Sequence, residues 1–228
     1  MTEPGFAAST WTVLKKDLTI ELRTREIVTT AGFFGVLVAL MASVAYSTGS
    51  STTVRVAPGT LWLSVAFASV LALGRTWQRE REDSCFVGLL TTPLPRGALF
   101  LGKAAGVFLF VTAIELVVLP VVALVLHVEL LDVGPQIALL LMLGTVGVAA
   151  MGTLFGAMTV RTRARDLALA TVLFPLLSPT LISGVAATRE MLQGAALVEV
   201  TDYIILLLVF DAIALVGGLV MFGSLVDE

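Results

Sequence analysis

Cysteine and histidine each occur once, as Cys85 and His127. A single cysteine excludes an internal disulfide, a CxxC redox pair and a CxxCH haem attachment site. Charge is also scarce. Asp, Glu, Lys and Arg make up 14% of the 228 residues while 57% are hydrophobic, against about 25% charged and about 45–50% apolar in soluble domains. Mean hydropathy is +1.00. These figures exclude an ordinary soluble domain and leave an integral membrane protein. A phosphate-binding loop is missing as well. The segment GALFLGKA, 97–104, matches GxxxxGK but ends in Ala104, where a P-loop needs Ser or Thr to hold Mg²⁺. It also runs straight into an apolar helix, which offers no free backbone N–H groups to a phosphate. The chain is therefore expected not to be an enzyme, and any ATP hydrolysis belongs to a separate nucleotide-binding subunit.

What is present is length and apolarity in repeated blocks. Six runs, about 27–46, 56–74, 99–126, 136–160, 167–187 and 203–226, each approach the roughly 20 residues that cross about 30 Å of hydrocarbon as a helix. They are continuously apolar rather than alternating, which excludes a membrane barrel. The fold class expected is an all-α integral membrane protein of six transmembrane helices forming one domain over 1–228. The first run follows a charged segment and has no small-residue cleavage site close behind a short apolar core, so it reads as an anchor.

Lys and Arg set the expected orientation. Lys15, Lys16, Arg23, Arg25, Arg75, Arg79, Arg81, Arg96, Lys103, Arg161, Arg163 and Arg165 fall on one side of the six runs, and Arg55 and Arg189 on the other. By the positive-inside rule both termini are cytoplasmic. Ahead of the first run, Trp11, Leu14, Leu18 and Leu22 share one helical stripe while Lys16, Asp17, Glu21 and Arg23 face elsewhere. This pattern predicts an interfacial helix over 10–26, with Trp11 at the headgroups and Lys15 snorkelling. A solvated charged arm is the other reading.

The island 75–96, RTWQREREDSCFVGLLTTPLPR, is charged, then apolar, then punctuated by proline. Four apolar residues, Phe86, Val87, Leu89 and Leu90, are unexpected in a purely solvated loop. They suggest a short helix that presses on a partner protein.

Inside the membrane two acids stand out, Glu115 in the third run and Asp211 in the sixth. Each costs about 2.5–3.5 kcal/mol as a charge at helix centre. With no basic residue at matching depth, each is expected to face the bundle as a protonated, hydrogen-bonded carboxyl, with a Ser or Thr of a neighbouring helix as a candidate partner. A proton relay, a gate, a cargo contact and plain structural bonding all remain open. His127 beside Glu129 invites a haem-ligand reading, though a lone interfacial histidine also serves simply as a polar helix end. Gly144, Gly147, Gly152 and Gly156 predict close packing of the fourth helix, and Pro175 and Pro179 a kinked or broken fifth. The apolar stretch 191–200 is then free to dip back into the membrane.

The run VAPGTLWLSVAFASVLALGRTWQREREDSCFVGLLTTPLPRGALFLGKAAGVFLFVTAIELVVLP, 56–120, closely resembles the CcmB family, the permease subunit of the ATP-driven complex used in cytochrome c maturation. The likeness extends to KKDLTIELRTRE, to GTVGVAAMGTLFGAMTVRTRARD and to LFPLLSPTLISGV. It covers most of the chain. Two departures, Gly74 where Asn is frequent and Ser84-Cys85 for a more usual Gly and small or polar residue, remove no charge.

The resemblance implies an ABC-2 type permease fold with an N-terminal elbow helix, in a bacterial inner membrane. It also implies a nucleotide-binding subunit, a haem-handling membrane protein and an external haem chaperone as partners, with two copies of this chain per complex by analogy. Haem is then possible cargo and ATP acts through the partner, with no cofactor resident here and no role for nucleic acid. In such permeases the first cytoplasmic loop is a coupling helix. Here Phe86, Val87, Leu89 and Leu90 would be its buried anchors and Arg79, Glu80, Arg81, Glu82 and Asp83 its charged rim. Two other functions fit the same sequence: an ABC-2 permease for another hydrophobic cargo, and a proton-coupled carrier without the ATPase.

Overall fold

The computed structural model describes residues 5–45, 50–82, 85–159 and 165–227. Among these every regular element is a helix: α1 (Phe6–Thr24), α2 (Glu26–Ala45), α3 (Ser50–Glu82), α4 (Cys85–Leu90), α5 (Arg96–Val125), α6 (Leu130–Thr159), α7 (Arg165–Leu192) and α8 (Thr201–Asp227). Six of them are long and apolar enough to cross a membrane, α2, α3 and α5 to α8. The protein is an all-α integral membrane protein. Arg161 and Arg163 lie outside the described residues.

α1 and α2 meet at one residue. Arg25 adopts a left-handed conformation, φ 53°, and its N–H donates to the Glu21 carbonyl at 2.6 Å. That geometry closes a helix and lets α2 start at the next residue. The Glu21 carboxylate accepts from the Val28 N–H at 2.9 Å, so an acid in the last turn of α1 caps the exposed donors of α2. The row that α1 buries is Ser9, Val13, Asp17 and Glu21, four residues apart. Trp11 and Leu22 point outward. Leu14 and Leu18, in the middle of the apolar stripe read from the sequence, are half-buried, Leu18 against the core, and the mostly polar row beside the stripe is the one buried on the bundle.

α2 buries Ile27, Ala31, Gly35 and Ala39 at the same spacing. Small side chains let it lie close to α3 and α5, and a Cβ at Gly35 would stand 3.0 Å from Val118 and 3.3 Å from Ala68. α6 is the hub, packed by α3, α5, α7 and α8. Its glycines receive side chains rather than a bare backbone. Trp62 lies on Gly144 of α6 and Gly184 of α7, Leu73 on Gly152 and Trp77 on Gly156. The Trp62 indole N–H also donates to the Thr188 hydroxyl at 2.9 Å, satisfying a polar atom that would be costly to bury alone. Phe100 of α5 fills the space at Gly218 and meets Phe222 with ring centroids 5.6 Å apart.

Two details differ from the sequence expectations, the length of α3 and the continuity of α7. α3 does not end where its apolar run ends but continues to Glu82. At about 1.5 Å per residue its 33 residues are longer than a bilayer core is thick, and the charged turns extend past the apolar part. α7 is one continuous helix despite Pro175 and Pro179. Pro179 has no N–H for the Pro175 carbonyl, and the Ser178 hydroxyl donates to that carbonyl at 2.6 Å instead. The segment after α7 is turn structure, with Gly194 at φ 98° and Val200 buried, and forms no further helix.

Candidate functional site: an ionic cluster beneath α4

The last two turns of α3, the middle and end of α1 and the first turns of α5 meet at one end of the bundle. Gly102 and Gly106 allow this approach. A Cβ at Gly102 would stand 2.7 Å from Val13 Cβ and 2.9 Å from the Thr10 carbonyl, and one at Gly106 would stand 3.5 Å from Asp17. Lys103, between them on α5, is 1% exposed. Its ammonium donates to Asp17 Oδ1 and Oδ2 at 3.0 and 2.8 Å and to Glu80 Oε1 at 2.5 Å. Lys16 lies 2.6 Å from Glu80 and 3.1 Å from Asp17. Burial works against the Lys16 charge, but Asp17 and Glu80 outweigh it and hold the lysine above its usual pKa of 10.5. Two cations and two carboxylates thus neutralise one another, Lys103, Asp17 and Glu80 buried and Lys16 half-buried.

A second group adjoins it. Arg79 Nη1 donates to Glu21 Oε2 at 2.9 Å, while Nη2 donates to the Thr24 hydroxyl at 2.8 Å and to Glu26 Oε2 at 3.1 Å. Arg75 reaches Glu26 at 3.7 Å. Four cations face four carboxylates across α1, α2, α3 and α5. α4 follows α3 after residues 83 and 84, and the Arg96 guanidinium donates to the Leu90 carbonyl at 3.1 Å, tying the end of α4 to the start of α5.

Of the residues singled out in the charged island, Arg79 and Glu80 are therefore engaged inside the chain. Continuing α3 as a helix turns them toward α1 and α5. Arg81 is partly exposed. Leu89 and Leu90 are half-buried against the cluster formed by Trp77, Leu99 and Phe100. Glu82 belongs to α3, and Phe86 and Val87 to α4, but their side chains lie outside the described residues, as does Asp83 entirely. Sequence reading missed Lys103, which it treated only as a topology charge, and missed the row Ser9, Val13, Asp17, Glu21. The four-residue spacing of that row was the available signal.

The intramembrane acids converge on one stretch of α6. Glu115, 4% exposed, accepts a hydrogen bond from the Thr145 hydroxyl. Asp211, 5% exposed, comes from α8 and rests on the backbone at Gly147. Each is enclosed by the bundle, as its cost in lipid demands. His127 is exposed and takes φ 53° just past the end of α5, a position where a left-handed residue closes the helix. The segment 97–104 lies in α5 as helix. Among the described residues no three His, Cys, Asp or Glu side chains are grouped to hold a metal ion.

A family model described as "CcmB protein" matches residues 8–224. Among curated relatives, "Heme exporter protein B" of Paracoccus denitrificans is 36% identical over 63% of this chain and 66% of its own length. The protein of the same name from Bradyrhizobium diazoefficiens is 27% identical over 80% and 82%. That of Pseudomonas aeruginosa is 29% identical over 75% and 76%.

Proposed function

The chain belongs to the CcmB family, and from that premise we propose that it is the permease subunit of an ATP-driven complex that exports or delivers haem for the assembly of c-type cytochromes. The relatives' name, heme exporter protein B, supports haem as cargo. ATP hydrolysis belongs to a separate nucleotide-binding subunit. Its closure is coupled to haem transfer, or to release of haem-loaded chaperone from a membrane partner. The complex sits in a bacterial inner membrane with both termini of this chain cytoplasmic and two copies of the chain.

The observation that carries this reading is the end of the bundle at α4. A short helix of mostly apolar residues follows the charged end of an overlong α3 and is tied to α5 by Arg96. A docking element needs this combination: a short apolar helix held by the helices beside it, with charge nearby to set orientation. On this reading Phe86, Val87, Leu89 and Leu90 meet the nucleotide-binding subunit and Arg81, Glu82 and Asp83 rim the contact. Arg79 and Glu80 brace it from behind. Glu115 and Asp211 hold the spans in register around α6.

Covalent haem staining of membrane c-type cytochromes tests the cargo. Cells lacking this chain are expected to lose stained cytochromes c while b-type haem spectra stay unchanged, and the restored chain rescues staining. Unchanged staining, in a strain without a second copy, removes haem from the account. It would leave a permease for another hydrophobic cargo or a proton-coupled carrier.

A further inference from the structure

The backbones of α1 and α3 do not come close to each other among the described residues; α1 packs on α5 and touches α2. What joins α1 to α3 is side-chain charge, and beside the Glu21–Val28 bond that crosses the joint locally, one residue of α3 spans the joint between α1 and α2. Arg79 takes Glu21 and Thr24 on the α1 side of Arg25 and Glu26 on the α2 side. The joint itself is one left-handed residue, so φ and ψ at Arg25 decide the angle between the two helices. A single-residue joint between helices has little rigidity of its own. A planar guanidinium bonded on both sides adds rigidity to the joint, and it does so from α3, three residues before that helix ends.

We infer that Arg79 is a positioning residue for transport: it turns displacement of α4 into a change of angle between α1 and α2. The inference rests on the reading above, in which an ATP-binding partner presses on α4. A push on α4 reaches α3, against which it packs. Arg79 then carries it to both arms of the joint, while Lys103 holds α1 on α5 through Asp17. Lysine replaces arginine only in part here, since one ammonium is a point donor and not a fork that reaches three acceptors from two nitrogens.

The test uses the assembled complex in a Cys85→Ser background, with spin labels at the exposed positions Thr12→Cys on α1 and Met41→Cys on α2. Distances are measured with and without ATP and vanadate, alongside cytochrome c formation. With Arg79 present the distance shifts on nucleotide trapping. With Arg79→Gln the partner still co-purifies, the shift is lost, and cytochrome c formation falls by about 5- to 150-fold, the range of an ordinary coupling between sites. Arg79→Lys falls between. Should Arg79→Gln fail to accumulate, Glu26→Gln, which cuts only the α2 side of the clamp, is expected to reduce the shift in the same direction. A full shift in either neutral variant overturns the inference, as does a distance in the unsubstituted chain that nucleotide never changes. Failure of the unsubstituted chain to co-purify an ATP-binding subunit instead overturns the underlying reading, and this inference with it.

Discussion

Lys103→Met is expected to cost the folded protein about 3–5 kcal/mol, the usual effect of removing one partner from a buried ion pair. Methionine fills nearly the same space, so lost volume is not the cause. Asp17 and Glu80, 7% and 5% exposed, would be left with Lys16 as their only lysine, and two buried carboxylates repel each other through a medium of low dielectric. The check is thermal unfolding in detergent, read as loss of monodisperse protein. Neutralising the carboxylates in the same chain, as Lys103→Met with Asp17→Asn and Glu80→Gln, is expected to recover much of the loss, because an ion cluster replaced as a whole is often tolerated where a broken one is not. A single Lys103→Met that unfolds like the unsubstituted protein would mean that the cluster contributes nothing to stability.

Substitution at Gly156 is the second large effect. A Cβ there would fall 2.0 Å from Trp77 Nε1 and 2.3 Å from Cδ1, and Trp77 is 1% exposed. Gly156→Ala forces the indole or α6 aside at about 1–3 kcal/mol, and Gly156→Leu forces it further. Gly74 and Gly217 are the controls. Nothing lies within 4 Å of a Cβ at either position, so alanine there is expected to be neutral or to gain up to about 1 kcal/mol of helix propensity. Melting temperatures of the four single variants decide the matter. Trp77→Ala combined with Gly156→Leu should cost less than the two separate losses added together, since the residues touch. Equal melting temperatures for Gly156→Ala and Gly74→Ala would show that the Trp77 seat is not tightly packed.

These two sites also mark how far the sequence could be read. Six spans were legible because a run of some 20 apolar residues has one cheap solution in a bilayer. The helix before them was legible from its periodicity. Which row of it is buried deepest was not, because burial in protein and exposure to lipid both favour Leu and Trp, and the deepest row is mostly polar. Gly156 was visible as a small residue on the fourth span, but its occupant Trp77 is 79 positions away in the chain. The Lys103 partners lie 86 and 23 positions away. Pairings at that separation are fixed by tertiary packing, and a single sequence carries no local trace of them. The charged end of α3 was hidden for a different reason. Arg75 and Lys103 were read as orientation charges and Arg79 and Glu80 as a rim facing a partner, and nothing local pointed to a use inside the chain.

The measurement that tests the account most directly uses the chain's one cysteine, Cys85, the first residue of α4. A thiol-reactive photo-crosslinker placed there in native membranes is predicted to capture a nucleotide-binding subunit, with a yield that changes when ATP is trapped. Cys85→Ser should abolish the product. Capture of lipid alone, or of proteins that bind no nucleotide, would contradict the assignment of α4 as the element through which ATP hydrolysis reaches the spans.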